Sequence, residues 1–174
     1  MSPSPWVTRF APLVPAGGSV LDVACGGGRH TRFFLEHGHP VTAVDRDTSG
    51  LADLAGHHGL EILECDLEDG APFPFRGRTF DAVVVTNYLH RPLLTDIVAA
   101  VAAGGVLLYE TFAVGQERFG RPHNPDFLLR AGELLDAVRG ALRVVAYEDL
   151  ILEDPDPRAV QRIAAVRALA DRDR

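Results

Sequence analysis

Val-Leu-Asp-Val-Ala-Cys-Gly-Gly-Gly, residues 20–28, is an apolar, β-branched run that carries one acid at Asp22 and ends abruptly in three glycines. Valine and leucine suit a strand covered on both faces. Gly26, Gly27 and Gly28 remove the side chain where the backbone must turn sharply or approach a ligand. A helix-compatible stretch, residues 29–37, follows and is stopped by Gly38. Strand, glycine turn and helix N-terminus form the first crevice of a doubly wound α/β sheet, where ligands meet free backbone N–H groups.

Spacing tests what such a loop can hold. A phosphate-binding P-loop needs a lysine after its last glycine, and every Lys or Arg position in this chain is arginine, which excludes it. The dinucleotide fingerprint G-x-G-x-x-G, started at Gly26, reaches Gly28 and then requires glycine where Thr31 stands, which disfavours a nicotinamide site.

Further strands follow in order. Val-Thr-Ala-Val-Asp, residues 41–45, reads as a second strand ending in an acid, and a carboxylate there can accept hydrogen bonds from ribose hydroxyls. Residues 61–66 read as a third strand ending in Asp66, and residues 80–87 as a fourth ending in Asn87. Gly104-Gly105 precedes a fifth over residues 106–112. Acid, glycine loop and successive acid-terminated strands resemble the motifs of class I S-adenosylmethionine-dependent methyltransferases. Asp22 supplies the acid, and Ala24, Gly26 and Gly28 stand in the three places of G-x-G-x-G, alanine replacing the first glycine. The resemblance covers roughly residues 6–167. It implies a Rossmann-like α/β fold, a seven-stranded sheet in the order 3-2-1-4-5-7-6 with the last strand antiparallel and helices on both faces. S-adenosyl-L-methionine is the implied cofactor, held by Asp22, Ala24, Gly26, Gly28, Asp45, Arg46, Asp66, Leu67 and Asn87. Asp45 would take the ribose and Asp66 would sit beside the adenine amino group.

Residues 1–174 are expected to form a single domain, a usual length for one compact unit. The longest apolar stretch, residues 97–109, contains Gly104-Gly105 and is too short for a bilayer. No charged start precedes an apolar run, so cytosol is the expected compartment. A net charge of −7 without lysine argues against a large nucleic-acid surface and favours a small methyl acceptor. Cys25 and Cys65, at the ends of non-adjacent strands, are expected to be reduced small hydrophobes. No spacing suggests a metal site. Oligomeric state is not encoded.

Beyond the strands, Trp6 to Phe10 is expected to pack over the crevice. Pro92, Leu93, Leu94, Ile97, Val98 and Val101 have helical spacing that Gly104-Gly105 would end. Residues 131–139 form another such helix, stopped by Gly140. Residues 142–152 and 159–167 flank a turn-rich segment and predict a terminal antiparallel hairpin, although periodicity alone also allows a helix for the second. Residues 127–134 are loosely similar to small tellurite-resistance and thiopurine-type methyltransferases.

Loops after strand carboxyl ends overhang the crevice, so residues 87–91 and the polar, turn-rich residues 115–125 should frame an acceptor pocket. Tyr88, Arg91, Arg118 and Arg121 are candidates to hold an anionic or carbonyl-bearing acceptor. If the acceptor arrives protonated a base is needed, with His90 the first candidate, His123 the second and Glu110 the third. His30 opens the first helix as a cap or a solvent-facing group, and His37, His39, His57 and His58 lie in apparent surface turns. Asn87-Tyr88-Leu89-His90 stands where amino-group methylases carry Asn/Asp-Pro-Pro-aromatic. The absent prolines weaken a nucleic-acid amine target but leave ribosomal or tRNA substrates open. The expected reaction is methyl transfer to a small oxygen, nitrogen or sulfur nucleophile. A catalytically silent S-adenosylmethionine-binding partner subunit, an RNA methyltransferase and a nicotinamide-dependent reductase stand as alternatives; the reductase lacks the lysine of a tyrosine and lysine pair.

Overall fold

The computed structural model describes residues 1–170, and the last four residues of the expected domain lie outside the described residues. Seven strands, β1 Val20–Val23, β2 Val41–Asp45, β3 Leu60–Glu64, β4 Phe80–Thr86, β5 Val101–Phe112, β6 Arg143–Leu152 and β7 Arg158–Val166, form one sheet. Their order is β3-β2-β1-β4-β5-β7-β6. Strands β1 to β5 pair in parallel, and β7 runs antiparallel to both β5 and β6. The implied topology is therefore the observed one, and residues 158–166 are strand, not helix.

Alternation along the strands divides the core into two layers. Leu21, Val23, Val83, Val85, Leu107 and Tyr109 pack on one face with Ile97, Leu134 and Val138, which come from α3 Leu94–Ala99 and α4 Glu133–Val138. Val20, Val41, Val84 and Leu108 pack on the other with Trp6, Phe10 and Phe34, from α1 Pro5–Phe10 and α2 Arg29–Glu36. Fully burying one side chain such as Phe34 contributes about 1.5–3 kcal/mol, so the sheet faces dominate the stability of this chain.

The first helix is specified locally by Ser4, whose side chain accepts from the Trp6 amide, and by Pro5 at the opening position. Its placement corrects the expectation that Trp6 to Phe10 covers the crevice. Trp6 is 2% exposed and lies on the sheet, its indole Nε1 donating to the Ile163 carbonyl at 3.1 Å. Trp6 and Phe10 carry the apolar burial, so they go to the sheet, and the residues preceding the helix reach the crevice.

The helix read from residues 92 to 101 is also shorter. A 3₁₀ turn, Arg91–Leu93, leads into α3, and Val101 already belongs to β5, opposite Phe80. The register then shifts, so that Ala82 faces Val106. Gly104 has φ +76°, and a side chain on Gly105 would press within 3.0 Å of the Phe80, Asp81 and Ala102 carbonyl oxygens. The two glycines thus form an irregularity inside the strand and do not end a helix. The third strand likewise stops at Glu64, which leaves Asp66 in the following loop.

The sheet order reverses between β1 and β4. The connections leaving their carboxyl ends part to opposite sides there and open a crevice, lined by residues following β1, β2, β3 and β4. Among the described residues no helix is long and apolar enough to cross a membrane.

Candidate active site

The chain leaves β1 through backbone that L side chains seldom adopt: Ala24 has φ +53°, Gly26 +52° and Gly28 +78°. Left-handed geometry costs a residue with a Cβ about 1–2 kcal/mol. Ala24, in the first glycine place of the motif, holds that conformation, which explains why glycine suits the position. Asn87, just after β4, has φ +54°. Both strained residues line both cavities of the crevice, one of about 380 Å³ and one of about 360 Å³.

The three glycines have different jobs. A side chain added to Gly26 or Gly27 would meet nothing within 4 Å, so these two face open space. One added to Gly28 would overlap the Leu51 side chain. Leu51 belongs to a 3₁₀ segment, Ser49–Leu54, whose Gly50 sits so close that a Cβ there would be 2.9 Å from the Gly27 Cα. Gly50 and Leu51 therefore support the loop from below. Neither is evident from sequence, where Gly50 looks like an ordinary turn glycine.

Asp45 ends β2 and closes the loop: its Oδ2 accepts from the Gly26 amide at 2.8 Å and its Oδ1 from the Asp47 amide at 3.0 Å. With Arg46, Asp66 and Leu67 it lines the larger cavity. Gly26 lines the smaller one, beside Met1, Arg29 and Arg32. Asp22 lines neither. It is buried, accepts a 2.7 Å hydrogen bond from the Thr31 hydroxyl, and ties β1 to α2 behind the loop. Burial pushes its carboxyl up to about 6 against the opposing Thr31 hydrogen bonds and the Arg29 charge. Burial, followed by the Asp22 and Asp45 charges, pushes the Cys25 thiol up to about 12, so it stays protonated at neutral pH on the wall of the smaller cavity. Both cysteines are free.

A further cavity of about 340 Å³ lies beside the larger one, lined by Thr111, Phe112, Arg121 and Pro122. Glu68, Asn87, Tyr88 and Phe127 line both, so they form a common wall. The Tyr88 hydroxyl is buried there without a hydrogen-bond partner. Burial raises its pKa, reinforced by the Glu68, Asp66 and Asp45 carboxylates, so it stays protonated at neutral pH.

The candidate bases and acceptor ligands separate on this geometry. The His90 Nδ1 lies 3.6 Å from the Glu68 Oε1, so His90 stands behind Glu68 and on neither cavity wall. His123 is exposed on its loop and lines no cavity of the crevice. Glu110 is removed from the chemistry: it pairs with Arg162 at 3.1 Å and accepts from the Ser4 hydroxyl at 2.7 Å. Arg91 is likewise committed to structure, with donors on Glu133 and on the Asp126 and Leu128 carbonyls that hold the turn before α4. Arg121 is on the cavity wall, and Arg118 lines the adjoining space beyond it.

His30, expected as a cap or a surface group, is buried. Its Nε2 accepts from the Ser4 amide at 3.0 Å, which leaves the proton on Nδ1, 3.5 Å from the Thr86 hydroxyl. Burial, then the Arg29 charge, pushes its pKa down to about 4. Glu68 and Phe127 are the wall residues that sequence reasoning missed; one stands in a turn after β3 and the other ends a 3₁₀ turn, Pro125–Phe127, and no spacing records their convergence. Among the described residues no group of three or more metal-ligating side chains is assembled.

Residues 20–105 match the family model described as a methyltransferase domain. Among curated proteins, a ubiquinone biosynthesis O-methyltransferase of Xanthomonas axonopodis is 38% identical over 112 residues, 58% of this chain and 46% of that protein. A malonyl-[acyl-carrier protein] O-methyltransferase of Salmonella typhimurium is 34% identical over 107 residues, 56% of this chain and 40% of that one. The chain spans less than half the length of these curated relatives. Among solved structures, TehB from Haemophilus influenzae superposes with a TM-score of 0.72 at 17% identity, covering 93% of this chain and 61% of TehB. An S-adenosylmethionine-dependent methyltransferase from Mesorhizobium loti gives 0.68 at 20% identity, covering 92% and 96%. Sheet order, glycine loop, strand-end acids and these matches agree on a class I S-adenosylmethionine-dependent methyltransferase, with the matched methyltransferase domain over residues 20–105.

Proposed function

We propose that this chain transfers a methyl group from S-adenosylmethionine to an oxygen of a small molecule seated between Thr111, Phe112, Arg121 and Phe127. The observation that carries the reading is the common wall: one cavity with the motif residues and one with the acceptor-facing loops meet across Glu68, Asn87, Tyr88 and Phe127. Two reactants in adjoining cavities can be aligned for direct transfer, where positioning supplies much of the rate.

The open space over Gly26 and Gly27, the Asp45 carboxylate and the strained Ala24 and Asn87 fit the cofactor. Asp45 would accept from the ribose hydroxyls, Asp66 and Leu67 would border the adenine, and Gly26 with Ala24 would face the methionine portion. S-adenosylmethionine supplies an electrophilic methyl carbon when bound. Tyr88 offers a protonated hydroxyl at the junction, suited to donating to the acceptor or to orienting its oxygen. Glu68, with His90 behind it, is the group placed to take a proton from a hydroxyl acceptor. Phe112 and Phe127 exclude water around the transfer.

The oxygen acceptor is supported by two of the relatives, O-methyltransferases of ubiquinone biosynthesis and of malonyl-[acyl-carrier protein]. Calorimetry with S-adenosylhomocysteine and with NADH tests the cofactor: heat from the first and none from the second is expected. Radiolabelled methyl transfer to a panel of phenols, carboxylic acids and amines tests the acceptor. Transfer confined to amines would remove the oxygen assignment.

A further inference from the structure

A second, wider space of about 590 Å³ adjoins the acceptor cavity, and Phe112 and Arg121 line both. Arg118 and Arg158 complete a group of three arginines around it, against one carboxylate, Asp156. In a chain of net charge −7 this is a local reversal of sign. The guanidinium of Arg121 makes no hydrogen bond or ion pair among the described residues, whereas Arg76, Arg78, Arg91, Arg139 and Arg162 each pair with a carboxylate. Arg118 donates to the Gly115 carbonyl and lies 5.4 Å from the Phe119 ring centre, and Arg158 donates to the Asp154 and Asp156 carbonyls. Neither of these arginines forms an ion pair among the described residues, although the Glu117 carboxylate lies within reach of the Arg118 charge.

The loop bearing two of these charges is held by a buried polar residue. Gln116 is 5% exposed; its amide nitrogen donates to the Arg121 carbonyl and its oxygen accepts from the Ala159 amide, next to Arg158. One side chain therefore fixes the spacing of the loop with Arg118 and Arg121 against the start of β7. A loop backbone already fixed spares part of the ordering cost when an anion arrives, and guanidinium forks suit the paired oxygens of phosphate or carboxylate.

From this arrangement we infer that the acceptor is elongated and bipartite: its reacting end sits beside Tyr88, and an anionic group remote from the methylated oxygen sits among Arg118, Arg121 and Arg158. The inference rests on the proposed methyl transfer for the reacting end, while the anion site stands on the arginines alone. Phosphate and carboxylate share the required chemistry, and a phosphate uses the third cation.

Phenyl phosphate and benzoate are the probes. Titrated at millimolar concentration into the whole ¹⁵N-labelled chain, phenyl phosphate is expected to shift the Gln116, Arg118, Arg121 and Arg158 amides. Its affinity should fall about tenfold in Arg118→Gln or Arg158→Gln, the loss of one charge-assisted hydrogen bond. S-adenosylhomocysteine affinity in these variants should stay that of the parent, which also shows them folded. Benzoate binding as tightly as phenyl phosphate would assign a carboxylate; weaker benzoate binding would assign a phosphate. Shifts spread over other arginines, or equal affinity in the variants, would overturn the anion site. Phenyl phosphate binding without S-adenosylhomocysteine binding would keep the anion site and remove methyl transfer.

Discussion

Asp45 holds Gly26 in place: its carboxylate accepts the Gly26 amide at 2.8 Å, so the acid at the end of β2 shapes the loop after β1 as well as facing the crevice. Asp45→Ala should therefore weaken S-adenosylmethionine binding by about 1.5–3 kcal/mol, through a lost charged acceptor, and loosen the loop besides. Calorimetry with S-adenosylhomocysteine measures the loss, and circular dichroism should remain native. Unchanged affinity would remove Asp45 from the cofactor site.

Gly28→Ala acts on folding, not on the ligand. The new methyl would overlap Leu51 and hold an unfavourable φ of +78°, and backbone strain alone costs about 1–3 kcal/mol. Urea denaturation should show a loss of at least that size. Leu51→Ala, which vacates the overlapped space, should make the double variant less destabilised than the two single losses added. Strict additivity would mean that the loop relaxes elsewhere.

Asp22 and His30 oppose one another in acid. The unfolded histidine takes up its proton below 6.5, whereas the folded one waits until about 4; His30 therefore contributes stability above 6.5 that is lost as pH falls to about 4. The folded Asp22 carboxyl keeps its proton up to about 6, against 3.8 unfolded; its contribution is complete below 3.8 and is lost as pH rises through about 6. Each amounts to about 3 kcal/mol at most, and between pH 4 and 6 the slopes cancel. Asp22→Asn removes one of them. Denaturant midpoints should then fall more steeply on acidification from pH 6.5 to 4 in the variant than in the parent, with the variant at least as stable at pH 7.5. Parallel profiles would contradict the buried-carboxyl account.

Glu68 and His90 should separate kinetically. Glu68 lines both cavities and His90 touches it from behind. Glu68→Gln is expected to lower turnover by about 10²-fold or more, the scale of a general base. His90→Ala should lower it less, and its cofactor affinity should stay within about 0.5 kcal/mol. A larger loss in His90→Ala than in Glu68→Gln would reverse their roles.

The strands were legible because strands covered on both faces read as continuous valine-rich runs, and the family resemblance fixed which strand lies beside which. Residues 92–101 misled because Val101 continues the apolar spacing of Ile97 and Val98 although the backbone has already turned into β5; apolar periodicity does not distinguish the two. Asp45 and Asp66 were visible as strand-end acids. Glu68, Phe127, Gly50 and Leu51 were not, since their neighbours in space are distant in sequence and no repeat or motif links them. Arg91 and Glu110 looked chemical by position, and only their partners, Glu133 and Arg162, reveal their structural use.

The bond from the Trp6 indole to the Ile163 carbonyl joins two residues 157 positions apart. In synthesis α1 is therefore made long before the strand whose carbonyl its indole meets. Trp6 packs on Val84 and Leu108 of β4 and β5 as well, but its indole N–H and its ring gain Ile163 and Arg162 only when β7 enters between β5 and β6, so the one tryptophan of the chain is also its clock. Its emission should complete its shift to the blue in a refolding experiment only when β7 docks, which makes intrinsic fluorescence a reading of when the sheet is complete.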